Sequence, residues 1–446
     1  MAKQLRRSVI SHLPVVGLLN SGFTLMSAGS RLVGNPVWNL CASPNLWDMD
    51  PRKLKEKQFK TIKYAFGYHY KHNLLYRDYC KKNGDFGPEN LKLFEDLYRI
   101  PQIPVEAFKM GSMATIKSDK IRTVVTTSGT SGSMSYLPKD EKSLLRMGSG
   151  IVNLVINAGA PRILNDQPRF KGKTSKLINY ALNNMYFSVM LPSPDEASTW
   201  FSSAFHGLTP YLNMLGVPYD FHLNNFRFDP EKILKTIEER RKENGMVFNI
   251  GFHYVLNELM NYMDAKDISL NWDPDGSNVC VTVIAGGWKK LSGEAVDKEA
   301  FKKRIVDHFG VYEPYIVDIY GFGESNTFAL DFCTARNMHL GPWVLGATRD
   351  PETLEILEPG EEGLMSVWDP TTLSFPAFVI SDDIVRVESP FECDCGLMTQ
   401  TVRYVKRAPK AELRSCGLKI EQLLSRENTA ELEELKEKTL RTGIGL

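Results

Sequence analysis

Apolar positions along the chain recur first at helical spacing and then in short strand-like runs. From Pro51 to Lys82, Phe59, Ile62, Ala65 and Phe66 fall on one face of a helix, and the charges from Lys53 to Lys60 fall on a solvated one. Ile100-Pro-Gln-Ile-Pro-Val105 predicts an extended connector, because each proline keeps its predecessor out of the helical region. Beyond it the pattern alternates. Arg122 to Val125 and Phe221 to Phe226 read as short strands. Asp229 then offers an N-cap, Pro230 takes the first helical position, Ile233, Leu234 and Ile237 make an apolar face, and Gly245 stops the helix. Met246 to Ile250, Val279 to Ile284 and Tyr315 to Ile319 predict buried strands, with a helix from Asp297 to Phe309 between the last two. Strand–helix alternation of this kind implies α/β layers around a largely parallel sheet. From about Leu364 the pattern changes to short β segments, then to a charged helix near Glu427 to Leu440, with Arg441 to Leu446 frayed.

Length and charge narrow the functional classes. The 446 residues suggest two or three folding units, and 43% apolar with 24% charged residues is ordinary for a globular protein with a full core. The formal net charge is +1 and no basic tract appears, which argues against nucleic acid as a partner. Seven scattered cysteines make no disulfide framework, so a reduced, cytoplasmic setting is expected. Near the N-terminus, Lys3, Arg6 and Arg7 precede an apolar run from Val9 to Leu25, superficially like an export signal. His12, Pro14, Asn20 and Ser21 interrupt it, which favours a segment packed on the protein and leaves contact with a membrane or partner open.

The chemistry begins at Thr127-Ser128-Gly129-Thr130-Ser131-Gly132, where hydroxyls alternate with glycines after a short strand. Glycines let backbone N–H groups turn inward and the hydroxyls add donors, an arrangement suited to the phosphates of ATP. The Gly-Lys-Ser/Thr ending of a Walker loop is missing, and a Ser/Gly-rich surface turn is the alternative on composition. Gly286 and Gly287 follow a strand end, where paired glycines allow a flat purine to lie on the backbone; a structural turn is the alternative. Asp318-Ile-Tyr320-Gly321-Phe-Gly323-Glu324 closes another strand, offering an aromatic face for a base and a hard carboxylate for a hard cation.

In this order and spacing the segments resemble the adenylate-forming superfamily of acyl-CoA ligases, peptide-synthetase adenylation domains and luciferases. The resemblance covers roughly residues 100 to 425. It implies that Thr127 to Gly132 cradle the phosphates, Gly286 and Gly287 flank adenine, Tyr320 stacks on it with Gly321 alongside, and Glu324 binds Mg2+. Ser381-Asp382-Asp383 is similar to the superfamily's ribose-binding turn, with Asp383 on the hydroxyls and Arg407 reaching the same ribose. Two departures stand out: Ser133, Met134 and Ser135 replace the usual proline and lysine, and Gly323 replaces a threonine.

Gly286-Gly-Trp-Lys289, with Ile103-Pro-Val-Glu-Ala-Phe-Lys109 upstream, resembles the LuxE-type acyl-protein synthetases related to phenylacetate-CoA ligases. That branch implies an adenylate-forming α/β fold with a shortened C-terminal domain. The expected division is a helical region over 1–100, an adenylating domain over 101–400, and a short C-terminal region over 401–446. Glu412 to Ile420 resembles the segment carrying the branch's acyl-accepting cysteine, here Cys416, with Arg414 or Lys419 positioned to lower its pKa. The resemblance implies ATP and Mg2+ as cofactors, a carboxylic acid substrate with a long apolar chain favoured, and an acyl-CoA reductase-like protein partner. A CoA ligase, an enzyme passing the acyl group to an amine or carrier protein, and a nucleotide-binding protein without catalysis are the competing readings. Cys333, His339, Cys393 and Cys395 could close a structural Zn2+ site, against free thiols in a β-rich loop. Cys41, Cys80 and Cys280 read as apolar packing, and His253 either as a satisfied structural histidine or as a wall of the acyl pocket.

Overall fold

A computed structural model describes residues 35–442 except 39, 44, 128–133, 162–166, 171–172, 194–195, 197–200, 203–204, 206–207, 224–226, 287–296, 327, 334, 391–392 and 409–425. The helix expected over 51–82 is two helices, α1 (Pro51–His72) and α2 (Leu74–Lys82). Asp50 caps α1 through its side chain, and Ile62, Ala65 and Phe66 are buried as the spacing requires. The break falls at Asn73, whose Oδ1 accepts from Tyr76 N at 2.9 Å while Nδ2 donates to the Met113 and Ala114 carbonyls at 3.2 Å. An amide side chain that competes with the backbone in this way ends one helix and starts the next.

Strand β1 (Ile103–Pro104) follows the proline connector. Strands β2 (Thr123–Thr126) and β3 (Tyr136–Lys139) form an antiparallel hairpin, and α3 (Glu141–Leu154) begins after it on an Asp140 cap. The alternating part runs β4 (Met185–Pro192), β5 (Tyr219–Leu223), α4 (Pro230–Asn244), β6 (Met246–Phe252), α5 (His253–Ala265), β7 (Val281–Ala285), α6 (Lys298–Phe309) and β8 (Ile316–Gly321). Asp229 and Gly245 bound α4 as expected, with Asp229 accepting from Lys232 N at 3.1 Å and Gly245 at φ 89°. Six antiparallel strands follow: β9 (Phe328–Leu330), β10 (Met338–Leu340), β11 (Leu345–Arg349), β12 (Glu362–Trp368), β13 (Phe378–Glu388) and β14 (Thr401–Arg407). Three of them precede Leu364, where the sequence pattern gave no strand signal. The last helix, α7 (Arg426–Thr442), includes Arg441 and Thr442, which the sequence reading had as frayed.

Twelve strands form one sheet in the order β11-β12-β13-β14-β10-β9-β8-β7-β6-β4-β5, with β1 beside β13. Strands β5, β4, β6, β7 and β8 are parallel to one another, so their carboxyl ends share one edge. The β2–β3 hairpin is a separate two-stranded sheet. Helix α7 packs against both hairpin strands and buries Leu432, Leu435 and Thr439, and Lys438 Nζ donates to Ser118 O, ahead of β2, at 2.6 Å. Among the described residues no helix is long and apolar enough to cross a membrane.

Candidate functional site

The base of the hairpin meets the turn after β8. Thr127 and Ser135 close its mouth: Thr127 N donates to Ser135 O at 3.3 Å, and Ser135 N donates to Thr127 Oγ1 at 3.0 Å. Ser128, Gly129, Thr130, Ser131 and Gly132 lie outside the described residues. Ser135 then reaches across, its Oγ donating to Glu324 Oε1 at 2.6 Å. Glu324 is buried, which pushes its pKa up, and the Ser135 hydrogen bond opposes the shift. Lys109 also pulls the Glu324 pKa down, and a buried carboxylate bonded to a hydroxyl suits a hard divalent cation.

Behind Glu324 the turn is tightly held. Ser325 Oγ and Asn326 N donate to Asp369 Oδ2 at 2.7 and 2.8 Å, and Thr371 N and Oγ1 donate to Asp369 Oδ1 at 2.8 and 2.6 Å. Four donors satisfy this fully buried carboxylate. The sequence reading passed over Asp369 and Asn326, because neither belongs to a spaced motif.

The end of β8 carries Tyr320, and its hydroxyl donates to Asp383 Oδ2 at 3.1 Å across 63 positions of chain. Asp383 is pushed up to about 6, chiefly by burial and then by the Asp382 charge, with Arg407 and Tyr320 pulling the other way. Asp383 pairs with Arg407 in the β13–β14 register, but the guanidinium bonds Asp382, with Nε 3.0 Å from Oδ2. Asp382 therefore orients Arg407. Gly286 follows β7 beside β8 and adopts φ 67°, and its carbonyl is bonded to His253 Nδ1; Gly287 lies outside the described residues. The His253 ring packs 5.3 Å from Phe301. The structure thus brings Thr127, Ser135 and Glu324 together at one place and Tyr320, Asp383 and Arg407 at another, linked by the three residues between Tyr320 and Glu324. Cys416 lies outside the described residues.

A second constellation sits at the opposite end of β9 and β14. Cys333 follows β9, His339 is on β10, and Cys393 and Cys395 are in the β13–β14 loop. Their ligand atoms all lie within 4.8 Å of one another. Cys333 and Cys393 sulfurs are 3.8 Å apart, Cys393 and Cys395 sulfurs 3.2 Å, and Cys395 Sγ is 3.2 Å from His339 Nε2. Tetrahedral coordination with Zn–S bonds near 2.3 Å requires S···S edges of about 3.8 Å. His339 Nδ1 is 3.0 Å from Thr399 Oγ1, which leaves Nε2 facing the thiols, and Asn337 N donates to Cys333 Sγ at 3.2 Å. Three thiols and an imidazole fit zinc; the wide separation of these residues in the chain kept the spacing signal weak.

Three comparisons bear on this geometry. The family described as "Acyl-protein synthetase, LuxE" matches residues 39–162 and 220–425. The long-chain-fatty-acid–luciferin-component ligase of Vibrio harveyi is 26% identical over 392 residues, 86% of this chain and 92% of that one. Its counterpart from Aliivibrio fischeri is 27% identical over 389 residues, with the same coverage. Among solved structures, a 2-hydroxyisobutyryl-CoA ligase in an open conformation superposes with a TM-score of 0.57 at 14% identity, covering 82% of this chain and 77% of that chain. The fold is therefore that of the adenylate-forming ligases.

Proposed function

The chain belongs to the LuxE acyl-protein synthetase family, and from that premise we propose that it activates a long-chain fatty acid with ATP and takes the acyl group onto Cys416. In the first step a carboxylate oxygen attacks the α-phosphorus of ATP, giving acyl-adenylate and releasing pyrophosphate. In the second the Cys416 thiolate attacks the acyl carbonyl, forming a thioester and releasing AMP. The observation that carries the first step is the Ser135–Glu324 contact of 2.6 Å, which joins the phosphate-loop hairpin to a buried carboxylate. Mg2+ held near Glu324 supplies charge neutralisation at the phosphates. Tyr320 offers its ring to adenine while its hydroxyl orients Asp383 toward the ribose, and Arg407 stands ready on Asp382. The thioester would then pass to a reductase-like partner. Cys333, His339, Cys393 and Cys395 would hold a closed structural zinc that ties the β9–β10 strands to the β13–β14 loop.

The names of the two luminescence ligases support the fatty acid, and the resemblance of the segment around Cys416 supports the acceptor. The test is intact-protein mass after incubation with ATP, Mg2+ and a panel of fatty and aromatic acids, without CoA. A hydroxylamine-labile acyl adduct on the wild type, absent from Cys416→Ala, is expected. AMP release that appears only when CoA is added would replace this reading with a CoA ligase.

A further inference from the structure

Lys139 ends β3 and is completely buried. An ammonium group is expensive to bury without a partner, so its surroundings indicate what holds it there. Its Nζ donates to Asn326 Oδ1 at 2.6 Å and lies 4.6 Å from the centre of the Phe375 ring. Burial pulls its pKa down to about 8, against the opposing charges of Asp369, Glu324 and Asp140. Asn326 stands two residues beyond Glu324 and is itself fixed, through its N–H to Asp369 and its Nδ2 to Ser143 O at 3.3 Å.

The hairpin has no ladder to the main sheet among the described residues. Backbone hydrogen bonds therefore do not set its register against the Glu324 turn, and side chains must. Side chains on an extended strand alternate, so Ser135 and Lys139 face the same way, about 13 Å apart along the strand. One bonds Glu324 and the other Asn326. We propose that Lys139 is a positioning residue for acid activation: with Asn326 it forms the second of two pegs that hold the phosphate-loop hairpin and the Glu324 turn in one register. Ser135 holds one end of the strand against the turn and Lys139 holds the other, so the pair fixes the strand's direction over the turn. A misplacement of about 1 Å between reacting groups costs roughly a hundredfold in rate. The inference rests on the adenylation reading above.

The experiment is acid-dependent ATP–pyrophosphate exchange, with thermal unfolding in parallel, on the wild type, Lys139→Met, Asn326→Leu and the double variant. Methionine removes a buried charge while keeping the stem, so Lys139→Met is expected to fold with a Tm close to that of the wild type. Its kcat for exchange should fall about a hundredfold, with the KM for the fatty acid unchanged. The double variant should lose no more than the worse single variant, because both remove one peg. Wild-type kcat in Lys139→Met, additive losses in the double variant, or a rate loss matched by a fallen Tm would each overturn the proposal. Absence of exchange in the wild type with every acid would instead overturn the adenylation reading, and this inference with it.

Discussion

Replacing Asp383 by asparagine should make the protein more stable and less able to bind nucleotide, and the stability gain should depend on pH. The Asp383 carboxyl is pushed up to about 6 from an ordinary value of 3.8. A carboxyl whose folded pKa is raised favours folding fully below the unfolded pKa and loses that contribution as pH rises through the folded pKa. In the wild type, the folded state therefore holds an unfavourable charge above pH 6. Linkage over the interval from 3.8 to 6 gives about 1.6 kcal/mol at pH 5 and about 3 kcal/mol at pH 7.5. Asp383→Asn avoids this cost, so its advantage in urea unfolding should grow by about 1.4 kcal/mol between pH 5 and 7.5. An AMP-containing ligand at about a hundred times its Kd should stabilise the wild type by about 2.7 kcal/mol and leave the variant unmoved. An advantage that stays flat with pH, or a variant less stable than wild type at pH 7.5, would refute the electrostatic reasoning. An unchanged response to the ligand would refute the ribose assignment.

Three further outcomes follow from the geometry. Ser135→Ala leaves the buried Glu324 carboxylate without its hydroxyl donor, a loss of about 1.5–3 kcal/mol, so the kcat of pyrophosphate exchange should fall roughly ten- to hundredfold. Exchange at the wild-type rate would show that this contact does not serve the reaction. Elemental analysis of purified protein should find about one zinc per chain, and Cys393→Ser or Cys395→Ser should lower both metal content and Tm. Metal-free wild type with unchanged Tm would leave the four residues as packed thiols and imidazole. Asp331→Ala should destabilise by about 3–5 kcal/mol, because Lys302 Nζ lies 2.9 Å from a fully buried carboxylate. Lys302→Met should cost less, since Lys298 Nζ remains 3.1 Å from the same oxygen; equal losses in urea unfolding would contradict this.

Local signals made the parallel half of the sheet legible. Asp229, Pro230 and Gly245 bound α4 because capping depends on residues within one turn, and the apolar runs after it have room only for buried strands. Strands β9, β10 and β11 escaped notice because each is short and buried within a mixed sheet, so none shows a two-residue alternation over enough positions. The candidate site was legible only where a motif is contiguous. Tyr320 and Glu324 were found through the turn they share, and Cys333, His339, Cys393 and Cys395 through residue type and a spacing unlike common zinc-finger patterns. Lys139, Asn326 and Asp369 carry no local signature, and the role of Asp382 in holding Arg407 depends on a partner 25 positions away.

By itself the sequence determined which chemical groups are present, their order, and the strand–helix rhythm, because these follow from side-chain type and short-range backbone preference. Only the tertiary structure decided which of those groups meet. The separate β2–β3 hairpin reaches the β8 turn through Ser135 and Lys139, and burial at that junction turns a serine, a lysine and a glutamate into one interdependent set. Distances across 187 and 189 positions of chain, and the low dielectric that gives them weight, arise when the chain closes on itself.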